Sequence, residues 1–471
     1  MTLISSISGI RGTIGGSVGE GLTPIDTVKY TAAFGTYLKQ QQGNKSHNGK
    51  VQIVIGRDAR ISGSMVAKLV SATLQGLGIN VLDIDLATTP TVELAVVNEK
   101  AQGGIIITAS HNPGQWNALK LLNEAGEFIS AEAGKVVLDL AESADFDFAT
   151  VNKLGSYQRG EGATEKHIEA ILALPEVDAE AIQARNFKVA IDCINSVGSI
   201  AVPMLLEKLG VDQIEKFYCE PNGSFAHNPE PVPENLNHIC GKMEQGAFDL
   251  GIVVDPDVDR LVLIQENGDP FGEEYTLVAV ADYILGLNKG GNTVSNLSSS
   301  LALSDVTKKH GGNYIASAVG EVNVVKAMKK TDAIIGGEGN GGVIFPKLHY
   351  GRDALVGIAL FLSHLAKFGK PISQLKAKYP QYHISKNKME LPSEIDLEGV
   401  LTTLAERYAN HPVNTTDGVK ISFDREWVHL RKSNTEPIIR IIAESNSRAT
   451  AEHLANKLIA DIREVINTDL R

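Results

Sequence analysis

Gly103-Gly104-Ile105-Ile106-Ile107-Thr108-Ala109-Ser110-His111-Asn112-Pro113 carries an apolar run straight into a polar loop closed by proline. A short run that is apolar at every position, not at alternate ones, reads as a strand buried on both faces, as in a parallel sheet covered by helices. Working outward, strand-like 51–56, helical 64–76, strand-like 80–86 and helical 91–100 precede it. That alternation predicts a mostly parallel, doubly wound sheet, whose ligands gather beyond the carboxyl ends of the strands. Ser110 stands at such an end, exposed, where a serine can do phosphate chemistry.

The pattern then repeats. Past the polar stretch 155–165, read as a linker, come strand 188–192, helix 197–209 and strand 250–254. A third unit opens near Gly268 with helix 275–285 and runs through the Val319-Gly320-Glu321 loop to strand 333–335 and the loop Gly336-Gly337-Glu338-Gly339-Asn340-Gly341-Gly342. Beyond about Pro380 the character changes to strands 383–391 and 419–430 and an amphipathic helix 449–466, a smaller α+β domain. The expected domains are therefore 1–155, 156–267, 268–380 and 381–471.

Composition agrees, since 471 residues suffice for roughly three or four domains of about 100 to 150 residues. No apolar run approaches the roughly 18 residues of a membrane span, and the N-terminus lacks a signal peptide's basic start and apolar core. Cys193, Cys219 and Cys240 are odd in number and widely spaced, which suits a reducing cytoplasm. A net charge of -12 argues against nucleic acid, whose binding needs clustered cations. An anionic substrate would need a locally positive site, for which Arg11, Lys120, Arg260 and Arg431 are candidates.

Two further segments carry chemistry. Asp255-Pro256-Asp257-Val258-Asp259-Arg260 sets three carboxylates at alternate positions after an apolar strand, a spacing that can ring a hard divalent cation. Alone, it also suits a solvated acidic turn, a calcium loop, or the Asp-x-Asp nucleophile of aspartyl-phosphate phosphatases. Those enzymes place the pair after their first strand, whereas here it lies past residue 250. Arg431-Lys432-Ser433-Asn434-Thr435-Glu436-Pro437 combines cations, hydroxyls, an amide and a turn proline, suited to a phosphate dianion. His111 can hydrogen-bond a phosphate, orient its neighbours, or simply cap its own turn.

With Ser8-Gly9-Ile10-Arg11-Gly12 and the 336–342 loop, these segments resemble, in order and over nearly the whole chain, the α-D-phosphohexomutase family of phosphoglucomutases and phosphomannomutases. They look most like the branch that includes archaeal-type phosphoglucosamine mutases. The resemblance implies three α/β domains and an antiparallel fourth closing over a central cleft. It implies phosphate transfer between the 6- and 1-hydroxyls of a hexose, with phosphorylated Ser110 as donor and acceptor and a hexose 1,6-bisphosphate as intermediate.

Family matches also suggest residue roles. Mg2+ would be held by Asp255, Asp257 and Asp259 with Ser110. Lys120, in Asn117-Ala118-Leu119-Lys120 where relatives read Asn-Gly-x-Lys, would serve as general acid or base, its pKa lowered by nearby cations. On its own terms Lys120 reads as a solvated lysine on a strand edge. Arg11 would stabilise phosphoryl charge, its flanking glycines permitting close approach. Glu338 would read sugar hydroxyls, with Arg260 and Asn340 also on the substrate, while Arg431, Ser433, Asn434 and Thr435 would anchor the phosphate not being transferred.

The chain also departs from the family. Asn340 and Gly342 replace a common serine and histidine, and Glu321 stands where some relatives carry histidine. Gly56-Arg57-Asp58-Ala59-Arg60 resembles the family too, but Arg-Asp-x-Arg reads as a structural ion-pair network outside the site. The expectation is a cytoplasmic monomer or homodimer converting glucosamine 6-phosphate to glucosamine 1-phosphate, with glucose or mannose phosphates as the alternative. A non-catalytic sugar-phosphate sensor is the reading of a different class, and a sensor has no need of Ser110, Lys120 and three aspartates together.

Overall fold

The computed structural model describes residues 2–6, 9–43, 50–390, 395–432 and 438–469. Its contacts divide the chain into two units, 1–276 with 340–373, and 277–339 with 374–471.

The first unit holds a seven-stranded sheet in the order Ile4–Ser6, Gly9–Thr13, Trp116–Leu122, Gly103–Ile107, Gln52–Arg57, Asn80–Leu86, Tyr157–Arg159. The last four run parallel. Trp116–Leu122 is antiparallel to both its neighbours, so the sheet is mixed. The connection 108–115 is too short for a crossover helix, and an antiparallel return is what remains. Nor is 155–165 a linker: Tyr157–Arg159 adds an edge strand beside Asn80–Leu86, and Ala163 opens the helix Ala163–Leu172.

Residues of the isoleucine run alternate between two cores. Ile105 and Ile107 pack with Val66, Val70 and Leu74 of helix Gly63–Gly76, while Ile106 packs with Val92, Ala95 and Val96 of helix Thr89–Asn98. Each such side chain contributes about 1.5 to 3 kcal/mol on burial, which fixes the strand between two helical layers. Helix Gly63–Gly76 stops where Gly78, at φ +79°, lets its N–H reach Gln75 O and the Ile79 N–H reach Leu74 O.

A second sheet in this unit has the order Leu261–Ile264, Leu250–Val254, Lys188–Asp192, Gln213–Phe217, parallel except for Leu261–Ile264. Helix Ala354–Phe368 also belongs here. It is apolar nearly all round and is enclosed by packing against helices Ala163–Leu172, Ala179–Arg185 and Gly198–Lys208. Asp353 caps its start by accepting from Leu355 N at 2.8 Å.

In the second unit, Tyr314–Ser317, Thr293–Asn296 and Ile335–Glu338 pair in parallel. The last starts at Ile335, not residue 333, and runs through both glycines. A Cβ on Gly336 would meet Met328 Sδ at 2.5 Å, so glycine is what allows the helix to lie so near. A five-stranded antiparallel sheet follows in the order His383–Glu390, Ile438–Ser445, Trp427–Lys432, Val419–Ser422, Val413–Asn414. The single strand expected over 419–430 is thus a hairpin, turning at Arg425 with φ +60°. Leu454, Ala455, Leu458 and Ile462 of helix Arg448–Asp469 cover the apolar face of this sheet. Among the described residues, no helix is long and apolar enough to cross a membrane.

Candidate active site

Ser110 is only 7% exposed, not open to solvent as expected, and its φ of +49° is uncommon for a residue bearing a Cβ. Such a backbone costs about 1 to 3 kcal/mol and needs external support. The support is Arg60. Its guanidinium donates to the carbonyls of Ser110, Asn112 (2.6 Å), Pro113 (2.7 Å) and Trp116 (2.9 Å), and its Nε donates to Asp58 Oδ2 at 3.0 Å. Asp58 Oδ2 also accepts from Thr108 Oγ1 at 2.7 Å, and Thr108 Oγ1 accepts from the Ser110 N–H at 3.0 Å. The Arg-Asp-x-Arg segment is the structural network it resembled, and what it builds is the shape of the serine loop.

From this loop Ser110 Oγ donates to Asp255 Oδ2 at 2.8 Å. The other oxygen, Asp255 Oδ1, accepts from the N–H groups of Asp259 and Arg260, both at 3.2 Å, and closes the acidic loop on itself. Between them Val258 takes φ +61°, an outlier for a β-branched residue. Asp255, Asp257 and Asp259 are fully buried, and one oxygen from each falls within 4.8 Å of the others. Asp257 Oδ1 and Asp259 Oδ1 are buried without a hydrogen-bond partner among the described residues. A set of hard oxygens with two unsatisfied acceptors fits a divalent cation, and contradicts the solvated-turn reading.

Lys120 is not on a strand edge. It lies on the interior strand Trp116–Leu122, where Leu119 and Leu121 face the core and Lys120 faces the opposite way. Its Nζ donates to Asp257 Oδ2 at 2.7 Å and lies 3.6 Å from Asp259 Oδ2. The expected lowering of its pKa is corrected: burial works that way, but Asp257 and Asp259 outweigh it and hold the ammonium above its ordinary range. Burial also pushes Asp257 up, yet Lys120 and Thr89, whose Oγ1 donates at 2.6 Å, keep it strongly acidic. Asp255 is pushed well up, by burial first and then by Asp259 and Asp257.

Of the cations expected at the site, Arg11, Lys120 and Arg260 lie in this unit, and Arg431 lies in the second. Arg11 lies on Gly9–Thr13 opposite Ala118, and a Cβ on its neighbour Gly12 would come within 2.8 Å of Leu22 N. Burial lowers the pKa of Arg11, and Arg260 and Arg352 lower it further. Arg352, which carries no motif signal, donates to Asp259 Oδ2 at 2.7 Å. His111 Nδ1 lies 3.4 Å from Ser110 Oγ, and its pKa is pushed well down by burial, Arg260 and Arg11, so it is a neutral imidazole in a positive field. Asn340 Oδ1 accepts from Gly342 N at 3.3 Å, within its own turn.

The second unit assembles another group at strand ends. Glu338 Oε1 accepts from Asn296 Nδ2 (2.9 Å) and from the Gly320 N–H (3.1 Å), and Glu321 follows directly as the first residue of helix Glu321–Thr331. The adjacent Val319 N–H donates to Asp417 Oδ2 at 2.9 Å, which lies 3.8 Å from Arg431 Nη1. Asp417 therefore couples the Glu338 loop to the Arg431 strand. Lys420 Nζ on Leu297 O (2.7 Å) and His429 Nδ1 on Ser298 Oγ (2.8 Å) dock the antiparallel sheet onto the same strand end. Ser433, Asn434 and Thr435 lie outside the described residues. Arg352, Asn296 and Asp417 gave no functional signal in sequence, because their partners are remote and their neighbours ordinary; Arg60 stands in a segment that resembles the family but reads, in sequence, as lying outside the site.

Four family models of phosphoglucomutase/phosphomannomutase match in succession: alpha/beta/alpha domain I over residues 4–148, domain II over 165–268, domain III over 272–382 and the C-terminal domain over 388–460. A phosphoglucomutase/phosphomannomutase of Thermococcus kodakarensis is 37% identical over 93% of this chain and 95% of its own. A probable phosphoglucosamine mutase of Methanopyrus kandleri is 32% identical over 98% of this chain and 97% of its own. Among solved structures, a phosphoglucomutase/phosphomannomutase family protein from Burkholderia thailandensis superposes with TM-score 0.84 at 23% identity, covering 98% of both chains.

Proposed function

The chain belongs to the phosphoglucomutase/phosphomannomutase family, and we propose that it moves phosphate between the 6- and 1-hydroxyls of a hexose through a phosphorylated Ser110. The observation that carries this reading is the 2.8 Å contact of Ser110 Oγ with Asp255 inside a buried carboxylate triad. In the first half-reaction a sugar hydroxyl oxygen bonds to the phosphorus on Ser110 and the bond from that phosphorus to Ser110 Oγ breaks; in the second, Ser110 Oγ bonds to the other phosphorus of the bisphosphate and the bond from that phosphorus to the sugar oxygen breaks. The sugar's proton reaches Ser110 Oγ by way of Lys120 Nζ in the first half-reaction and returns from Ser110 Oγ to the sugar oxygen by the same route in the second, so Lys120 ends each half-reaction as it began. Arg11, Arg260 and neutral His111 offer donors to the phosphoryl oxygens.

Asp255, Asp257, Asp259 and Ser110 Oγ are the groups that would hold Mg2+, which when bound supplies charge neutralisation at phosphorus and at the serine oxygen. Glu338 reads two sugar hydroxyls, and Arg431 with the 433–435 loop anchors the phosphate not being transferred. A hexose 1,6-bisphosphate is the intermediate, and turns end for end between half-reactions. The proposed setting is the cytoplasm.

For the sugar we favour glucosamine phosphate. Support comes from the Methanopyrus relative's name and from Glu321, a carboxylate beside the Gly320 N–H that holds Glu338 and able to pair with a ring ammonium. The Thermococcus relative's name supports glucose or mannose phosphate instead. Measuring kcat/KM of the purified chain against glucosamine, glucose and mannose 6-phosphates decides between them. Failure with all three would overturn the mutase reading itself.

A further inference from the structure

Away from the aspartate triad, but inside the same unit, two imidazoles converge on one carboxylate oxygen. His167 Nε2 lies 2.9 Å and His349 Nε2 3.2 Å from Asp353 Oδ2, and the rings stand at 89° to each other. All three ligand atoms fall within 4.8 Å of one another. A tetrahedral ion about 2.0 Å from each ligand spaces its ligands by about 3.3 Å, near both measured separations. Asp353 Oδ1 is already committed to the cap of helix Ala354–Phe368, so Oδ2 is the oxygen left to turn inward.

The second ring nitrogen of His167 is hydrogen-bonded as that of a metal-bound histidine usually is, and that of His349 lies within ion-pair distance of a carboxylate. His167 Nδ1 meets Thr91 Oγ1 at 2.9 Å, and His349 Nδ1 faces Glu93 Oε2 at 3.2 Å. Glu93, His167 and Asp353 are almost wholly buried, and the two carboxylates draw positive charge to this cluster: against the effect of burial they hold the pKa of His349 up to about 10, and a divalent ion would replace the charge of that imidazolium. A Cβ on Gly351 would lie 1.8 Å from Glu93 Oε2, so glycine there is what lets Glu93 reach His349.

We propose that His167, His349 and Asp353 form a second, structural metal site, selective for an imidazole-preferring first-row divalent ion such as Zn2+ and oriented by Glu93 and Thr91. The aspartate triad has only oxygen donors and prefers a harder ion. The site joins three segments far apart in sequence: helix Thr89–Asn98, helix Ala163–Leu172 and the cap of Ala354–Phe368. Thr89, at the start of the first helix, donates to Asp257. A metal on this cluster therefore fixes the helix that supports the aspartate triad, without touching the reacting atoms.

The test uses the full chain, stripped by a chelator and then dialysed against Zn2+ in a large excess of Mg2+. Plasma mass spectrometry should find one zinc per chain, anomalous diffraction at the zinc edge should put it between His167, His349 and Asp353, and its melting point should exceed that of stripped protein. His167→Ala and Gly351→Ala should each weaken zinc uptake at least tenfold, while magnesium-supported turnover is reduced but not abolished. Asp257→Asn should keep its zinc. No zinc uptake by the parent chain, or zinc found only on the aspartate triad, would overturn the proposal, and both readouts on the parent stand even if His167→Ala does not fold.

Discussion

Ser110 Oγ lies 2.8 Å from Asp255 Oδ2, although 145 positions separate the two residues. Each sits on a loop beyond the carboxyl end of a strand, and the two strands belong to different sheets of one unit. The hydroxyl that would carry phosphate thus rests on the carboxylate group that would hold its metal.

Ser110→Ala should lower turnover by on the order of 10⁴-fold or more while leaving the fold intact, since the lost hydroxyl makes one short and one long hydrogen bond and fills little volume. Intact-mass and peptide analysis should find the phosphate on Ser110 of the parent protein and on no residue of the variant. Near-normal turnover in the variant would contradict the mechanism.

Arg60→Lys keeps the charge but not the planar fork that serves four carbonyls, so the Ser110 loop should lose its left-handed turn. Turnover should drop by more than tenfold, and chemical denaturation should register a loss of about 3 kcal/mol or more, because Asp58 stays buried beside an imperfect partner. Unchanged stability would show that the loop holds its own shape.

Lys120→Met should destabilise the protein by about 3 to 5 kcal/mol, since it leaves Asp257 buried without its cation. Its kcat should fall by about 10² to 10⁴-fold with a smaller change in KM, as for a lost proton donor. Added Mg2+ should restore thermal stability but not turnover. Recovery of both would reduce Lys120 to a counter-charge.

His429 gives a pH dependence with a definite sign. Burial holds its pKa down to about 4, Lys420 and Arg431 adding to the effect against the pull of Asp417. A depressed histidine contributes stability that is fully present above its unfolded value near 6.5 and is lost as pH falls through 4. Across that window the loss should approach about 3 kcal/mol. His429→Gln should flatten this part of the pH–stability curve measured by thermal unfolding, and an unchanged slope would exclude His429 as its source.

Glu321→Gln should narrow the preference for glucosamine phosphate over glucose phosphate, because a site built around a charge partner rejects the neutral analogue more strongly. The ratio of kcat/KM values for the two sugars is the readout. If the ratio does not move, the amine has another partner.

Strand Gly103–Ile107 and helix Gly63–Gly76 were legible from local order alone, because side-chain periodicity and backbone preference act over a few residues. The Asp255 loop and Ser110 stood out as candidates, but only the order of several motifs along the chain gave them a role. Periodicity does not record strand direction, so the antiparallel return through Trp116–Leu122 had to come from tertiary pairing. It moved Lys120 from an edge to the interior, and Asp257 and Asp259 then reversed the direction of its pKa shift. Arg60 under the serine loop, Arg352 on Asp259, Asp417 between Val319 and Arg431, and the histidines around Asp353 owe their roles to partners far away in the chain. Sequence alone determined which chemical groups this protein owns and which local elements carry them. Only the tertiary structure decided which groups meet, because burial and charge act through distance in space, and chain order constrains that distance only within a few residues.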